Sequence, residues 1–175
     1  QEGAFSSTVR NQINQNFVAA QFLTQGNIYW VRPSNGLDSN DGKSSSSAFK
    51  TLTMALAAAA ANQNDVILMC SEGNTAANTT DYQSVTLNWN KDMVHLIGVN
   101  AGSFIGQRSR ISNLSTAASF ATLFKVSGNG CLIQNVEFFQ GAGSDTLGTA
   151  QTCVLVSGQR NRFVNCQISG NGDLA

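Results

Sequence analysis

Charge is what this sequence has least of. Only 11% of its 175 residues are Asp, Glu, Lys or Arg, against about 25% in an ordinary globular domain. Ten basic residues cancel ten acidic ones. A neutral chain with no basic tract lacks the positive footprint that nucleic acid requires, so no nucleic-acid partner is expected. Long apolar runs are missing too. The alanine-rich stretch 55–61 falls well short of the roughly 18 residues of a membrane span, so no membrane partner is expected. There is one proline, Pro33, and one histidine, His95. The four cysteines, Cys70, Cys131, Cys153 and Cys166, form no C-x-x-C pair, and none neighbours His95. That excludes the usual zinc ligand spacings, and no metal or other cofactor is expected. Buried free thiols, with no disulfide among them, are the expectation. The N-terminus shows no basic region followed by an apolar run, so no signal peptide is read there. The chain starts at Gln1 and stops on the turn-like Gly170 to Ala175, so the natural polypeptide is expected to continue.

What the chain has instead is asparagine and glycine, 19 and 16 residues respectively, with 42% hydrophobic content. Asparagine tolerates left-handed backbone and makes Asx-turns, which suits many short strands joined by tight turns. Residues 1–27 read as an N-terminal arm. Val9, Ile13, Phe17 and Ala20 recur at helical spacing among Asn and Gln, the pattern of an amphipathic helix that either packs on the following domain or docks on a partner. Residues 28–62 read as a strand, a turn-rich loop and a helix. The helix is expected over Ala48 to Ala61 with Ser47 as N-cap and a stripe of Phe49, Leu52, Leu56 and Ala59. From 63 to 175 the pattern becomes short strands punctuated by Gly, Asn and Ser: Val66–Met69, Ser84–Leu87, Val94–Gly98, Leu123–Val126, Cys131–Phe139, Cys153–Val156 and Arg162–Ile168.

An internal repeat selects among the all-β architectures. Val126-Ser127-Gly128 returns as Val156-Ser157-Gly158, an offset of 30. At the same offset Ile133 meets Phe163, Asn135 meets Asn165, Val136 meets Cys166 and Phe138 meets Ile168. Val66–Met69 and Val94–Ile97 stand 28 apart. Such periods belong to solenoids. A coil of about 30 residues accommodates three short strands, and each inward side chain then stacks on its counterpart one coil away. Because Ile133 and Val136 are three apart, both can face inward only if the chain bends near Asn135. Asn135 and Asn165 are therefore expected to occupy that bend and to stack as an amide ladder. The predicted fold is all-β: a right-handed single-stranded parallel β-helix with an N-terminal strand and helix cap.

At this point a family resemblance appears. Ile28-Tyr29-Trp30-Val31, then Asn35-Gly36-Leu37-Asp38-Ser39-Asn40-Asp41-Gly42, then Ala48-Phe49-Lys50-Thr51-Leu52 with its alanine-rich continuation, resembles the opening of pectin-lyase-like parallel β-helix proteins, as found in bacteriophage virions. Asn64-Asp65-Val66-Ile67-Leu68 and His95-Leu96-Ile97-Gly98 add to the likeness, which runs over roughly residues 28–170. The resemblance implies that the opening strand and helix cap the first coil. It implies little about activity, because the same scaffold carries lyases, hydrolases, adhesins and inert shafts.

No catalytic residue emerges. Asp38-Ser39-Asn40-Asp41-Gly42 lacks the alternation of a calcium loop, and Phe49 stands where the twelfth-position Glu would be, so it reads as an Asx-turn loop. Glycoside hydrolysis needs two carboxylates on one groove, but Asp65, Glu72, Asp81, Asp92, Glu137 and Asp145 are scattered. Glu137 is expected to point outward, with Gln167 as its counterpart. Arg160 and Arg162 share one strand face, with no acid cluster nearby in sequence. His95 reads as a satisfied or surface residue. Tyr29, Trp30, Tyr82 and Trp89 could stack on sugars but read as core or cap packing.

The function expected from the resemblance and from the absent acid cluster is that of a bacteriophage virion structural protein: capsid-surface, decoration or fibre-like, and not an enzyme. It would be located in the virion and assembled in the host cytoplasm. The alternative is a tailspike-like polysaccharide depolymerase or a sugar-binding module. A homo-oligomer, a trimer by the resemblance, is expected, with other virion proteins as partners and host-surface polysaccharide as a further one. Val9, Ile13 and Phe17 are the expected partner-binding residues of the arm.

Overall fold

The computed structural model describes residues 26–72, 80–99, 109–113, 121–140 and 152–169. The arm residues Val9, Ile13 and Phe17, together with Asp145 and the 170–175 turn signal, lie outside them. Twelve strands are present among the described residues: β1 (Ile28–Val31), β2 (Val66–Met69), β3 (Thr80–Gln83), β4 (Leu87–Trp89), β5 (His95–Gly98), β6 (Ser109–Asn113), β7 (Thr122–Val126), β8 (Leu132–Gln134), β9 (Val136–Phe139), β10 (Thr152–Val156), β11 (Arg162–Val164) and β12 (Gln167–Ser169). One α-helix, α1 (Leu52–Ala58), precedes β2. None of the helices described is long and apolar enough to cross a membrane.

The strands form three sheets: β1-β2-β5-β8-β11 (sheet 1), β3-β6-β9-β12 (sheet 2) and β4-β7-β10 (sheet 3). From β2 onward the chain visits sheets 1, 2 and 3 in turn, and every pairing between strands is parallel. Parallel strands of one sheet joined by crossovers wind right-handed, and the result is a right-handed parallel β-helix. The 30-residue offset is real: Ile133 lies under Phe163, Phe138 under Ile168 and Val126 under Val156. The earlier offset is 29 rather than 28, because His95, not Val94, stands over Val66. A one-residue slip reverses every side chain's face. The true register keeps Leu96 on the inward column of Tyr29, Ile67, Ile133 and Phe163.

The core is a set of such columns. Between the columns, Trp89 and Phe124 of sheet 3, Phe138 of sheet 2 and Phe163 of sheet 1 meet ring against ring across the interior, with centroids 5.9, 4.9 and 6.4 Å apart, and the Trp89 indole N–H is satisfied by the Val94 carbonyl at 2.9 Å. A second apolar cluster, Val66, Leu68 and Ile97 with Ile28 and Trp30, occupies the outer face of sheet 1. Tyr29 is buried and donates to the Ala58 carbonyl. Thus Tyr29, Trp30 and Trp89 belong to packing, as expected. Over the last described coil the columns open. Ile168 is 60% and Val156 45% exposed, while Phe138 and Val126 beneath them are wholly buried.

The turns explain the repeated motifs. Asn135 and Asn165 both have left-handed backbone (φ 56° and 49°), which splits Cys131–Phe139 into β8 and β9 and Arg162–Ile168 into β11 and β12. Asn165 Nδ2 donates to Asn135 Oδ1 at 2.8 Å, so the ladder forms. It is exposed at Asn165 rather than buried, because that residue lies in the last described coil. In the Val-Ser-Gly repeat the valine faces the core and the glycine permits close approach of coils. A Cβ on Gly158 would stand 2.0 Å from the Gly128 carbonyl oxygen, and one on Gly128 2.5 Å from that of Lys91.

The cap differs from expectation in its helix. Ala48 and Phe49 are extended, because Phe49 bridges to Val31 and exchanges backbone hydrogen bonds with Trp30 and Arg32. The helix therefore begins at Leu52 with Thr51 as N-cap, while Ser44 caps a short 3-10 turn at Ser45–Ser47. The expected stripe survives, with Phe49, Leu52, Leu56 and Ala59 all buried. Ser84 to Thr86 form a bend rather than a strand, and β3 and β6 escaped the sequence reading because Thr80-Asp81-Tyr82-Gln83 and Ser109-Arg110-Ile111-Ser112-Asn113 are mostly polar.

Two measurements test this architecture. Asn165→Gly keeps the left-handed bend accessible but removes the ladder bond, and should lower stability by about 0.5–1.5 kcal/mol in chemical denaturation; an unchanged midpoint would remove the ladder's role. All four cysteines are free, and burial raises their thiol pKa values, that of Cys70 to about 12. The intact mass should therefore be the same with and without reductant. A thiol reagent should label the folded chain far more slowly than the denatured one.

Candidate functional site

The spacing of strands around the coil singles out one face. The turn from sheet 3 to sheet 1 is constant: nine residues separate Leu87 from Leu96, Phe124 from Ile133 and Val154 from Phe163. It is held by side chains that pass hydrogen bonds along the axis. Asp92 Oδ1 accepts from Asn129 N, and Asn129 Oδ1 accepts from Gln159 N, both at 2.8 Å. Met93, Gly130 and Arg160 take the left-handed position of successive turns. Arg160 therefore sits in a turn, and it does not share a strand face with Arg162 as the sequence had implied. The other two connections vary, and both border sheet 2. Fourteen residues separate Ile67 from Asp81, but five separate Ile133 from Phe138. Variable connections around a fixed scaffold are where binding surfaces are usually built, so the outer face of sheet 2 is the candidate site.

Two outward columns line that face. One runs Thr80, Arg110, Glu137, Gln167, and the other Tyr82, Ser112, Phe139, Ser169. Glu137 points away from the coil interior, as expected, yet is only 4% exposed. Arg110 Nε meets its Oε2 at 2.6 Å, and Ser169 Oγ donates to Oε1 at 3.2 Å. The Arg110 guanidinium also lies over the Phe139 ring, 5.4 Å from its centroid. Tyr82 and Phe139 are 42% and 36% exposed. They sit two rungs apart, which at a strand spacing of about 4.8 Å separates them by about 9–10 Å along the axis. Sequence reasoning named Tyr82 and Glu137 separately and missed Arg110 and Phe139. The signal that would have joined them is the 27-residue offset between Arg110 and Glu137, which the repeats around it do not show.

The remaining candidates are occupied structurally. Asp38 accepts from Lys50 N and Thr51 N at 2.9 Å. Asp41 accepts from Lys43 N and Ser47 Oγ, which hold its carboxyl below the usual range. Asn40 donates to Ala48 O, so the Asp38–Gly42 loop is the Asx-type turn anticipated. Gly42 is required there: its φ is +68°, and a Cβ would stand 2.3 Å from the Phe49 ring. Asp65 accepts from Asn27 N at 2.6 Å and from Ala60 N at 2.7 Å. Glu72 is raised by burial but more strongly lowered by Arg32, Asn35 and Ser34, which pair with it. His95 accepts from Leu132 N through Nδ1 at 3.0 Å, so its proton sits on Nε2, 3.3 Å from Asn64 Oδ1. Burial lowers its pKa and keeps it neutral. Among the described residues no group of three or more His, Cys, Asp or Glu is placed to hold a metal ion.

No protein-family model matches the sequence, and no curated protein matches it. Among solved structures, the chain is similar to a pectin methylesterase mutant in complex with a hexasaccharide, with a TM-score of 0.52 and 18% identity. The likeness covers 83% of this chain and 50% of that one, so this chain spans about half its length. At that identity the likeness establishes the fold, a parallel β-helix, and not the activity.

Arg110→Ala should destabilise the chain by about 3 kcal/mol, because it strips a buried carboxylate of its counter-charge. Arg110→Met combined with Glu137→Gln should recover most of the loss in denaturant titrations. If the single variant were as stable as the parent, the pair would have no structural weight.

Proposed function

We propose that this chain is a structural β-helix of a bacteriophage virion, a capsid-surface, decoration or fibre-like component without catalytic turnover. The observation that carries this reading is the fate of the carboxylates. All seven described acidic side chains, Asp38, Asp41, Asp65, Glu72, Asp81, Asp92 and Glu137, hold a backbone N–H, a side-chain donor or an arginine of the same chain. Glycoside hydrolysis needs two carboxyl groups facing one solvent-open groove, and these are spent on internal contacts. The bacteriophage part rests on the resemblance of the strand, loop and helix opening at 28–52. In this reading the protein assembles in the host cytoplasm, forms a homotrimer side by side, and uses Val9, Ile13 and Phe17 to dock on a neighbouring chain or on other virion proteins.

A second reading, non-catalytic glycan binding, is favoured by one observation: two exposed aromatic rings, Tyr82 and Phe139, lie in one column beside the Arg110–Glu137 pair. Aromatic faces suit the apolar faces of sugar rings, and the largely buried Arg110–Glu137 pair fixes the sheet beside them. The hexasaccharide complex of the structurally similar pectin methylesterase is compatible with such a use of the fold.

Incubation with host-surface polysaccharide should release no new reducing or unsaturated ends. Imaging of intact particles should place the protein on the virion. Light scattering should give the mass of a trimer, and deletion of residues 1–25 should weaken particle binding while the β-helix stays folded. Turnover of polysaccharide, or a monomer that binds particles equally well without its arm, would contradict the structural reading. If glycan is retained without cleavage, Tyr82→Ala and Phe139→Ala should each reduce retention at least severalfold.

A further inference from the structure

The cap and the first coil meet at two carboxylates. Asp81 belongs to β3, but its side chain faces inward, on the column that continues as Ile111 and Phe138. It is 4% exposed, and every other described member of that column below the last coil is a buried apolar residue. Its Oδ2 accepts from Leu52 N of α1 at 3.0 Å and from Gln83 Nε2 at 2.8 Å. The neighbouring amide, Thr51 N, is held by Asp38 Oδ1 at 2.9 Å, and Asp38 also accepts from Thr51 Oγ1. Two acidic groups from different parts of the chain thus share adjacent N–H groups of a single helical turn. Each fixes the helix to a different body, Asp38 to the cap loop and Asp81 to the first coil.

The charged surroundings of Asp81 are one-sided. Helix α1 (Leu52–Ala58) contains no titratable residue, and the cap loop presents Asp38. From β6, Arg110 faces the opposite side of the sheet and is paired with Glu137. No described cation neutralises the carboxylate. An ionised Asp81 would therefore stand beside Asp38 and over an apolar column, relieved only by two hydrogen bonds.

We propose that Asp81, together with Asp38, is a proton-controlled latch that holds the cap closed on the first coil when Asp81 is protonated and loosens it when Asp81 ionises. Since Oδ2 already accepts two hydrogen bonds, the proton resides on Oδ1. Burial first, and the Asp38 charge second among the raising causes, lift the Asp81 pKa from 3.8 to about 7. The sign follows from linkage. A carboxyl whose folded pKa is raised binds more protons folded than unfolded between those two values. Its contribution to stability therefore falls as pH rises from 3.8 towards about 7, and is flat above that. The contribution of His95 runs the other way, since its lowered pKa weakens the fold as pH drops below 6.5. A local readout at the cap is therefore needed. The outcome of loosening is exposure of the Leu52, Ala55 and Leu56 face and of the first coil beneath it.

Amide hydrogen exchange of the intact chain from about pH 5 to about pH 9 tests the latch. The protection factors of Leu52 and its helical neighbours should fall by about tenfold or more as pH rises to 7, while those of β7 and β8 change little. Asp81→Asn should abolish the dependence. Asp38→Asn should keep it but move its midpoint to lower pH, because the like charge is gone. If Asp81→Asn does not fold, infrared spectroscopy of the parent reads the same proton directly: a buried carboxylic acid band present at about pH 5 should vanish by about pH 9. Flat cap protection, a dependence that survives Asp81→Asn, or the absence of that band would overturn the proposal.

Discussion

Parallel stacking is the constraint on which this molecule depends. Each coil bonds through its backbone to the coil before and after it, so a side chain has as axial neighbours the residues at the same position one rung away. Position, rather than overall composition, then decides what a residue must be. Inward columns are mostly aromatic or branched, with Asp81 an exception in the first coil; outward columns are mixed, and turn positions carry Asn, Gly or Asp more often than Met93 or Arg160. The Asn135–Asn165 bond and the Asp92–Asn129–Gln159 chain are the polar form of the same rule. They fasten turns that would otherwise leave backbone amides unpaired.

A stack of this kind has ends, and an uncovered end is a row of unpaired strand edges over open core. The N-terminal end is closed by β1 and by a helix of only seven residues, too short to be stable alone. Its ends are pinned by groups from elsewhere in the chain. Asp38 and Asp81 hold amides at its start, and Lys91 Nζ donates to the Ala57 and Ala59 carbonyls at its finish. Asp38 and Lys91 thus place opposite charges at opposite ends of the helix dipole, in the favourable sense. The same arrangement buries an acid whose charge is poorly compensated, which makes the closure sensitive to protons.

The candidate surface arises from a contrast in regularity. The turn between sheets 3 and 1 keeps one length and one hydrogen-bonding scheme, whereas the connections on both sides of sheet 2 change from coil to coil. A rigid sheet flanked by variable connections can present a small group of outward residues, here Tyr82, Phe139 and the Arg110–Glu137 pair, without altering the core behind them. That separation lets one scaffold serve as shaft, binder or enzyme, and it is why carboxylate placement weighs more than fold in choosing among them.

Much of the fold was legible in the residues. The 30-residue offset located the inward columns, the three-residue gap between Ile133 and Val136 forced a bend at Asn135, and the Asx-rich loop announced itself through Asp38, Asn40 and Asp41. These are local or strictly periodic signals, and periodic stacking writes itself directly into sequence. The register of His95, the late start of α1, the inward turn of Asp81 and the meeting of Arg110 with Glu137 were decided by tertiary structure. The start of α1 follows from the Val31–Phe49 bridge, and the others depend on connections of unequal length that bring distant residues to one rung. When coil length changes from 30 to 27 or 37 residues, no fixed offset in the sequence identifies which side chains will stand one above the other.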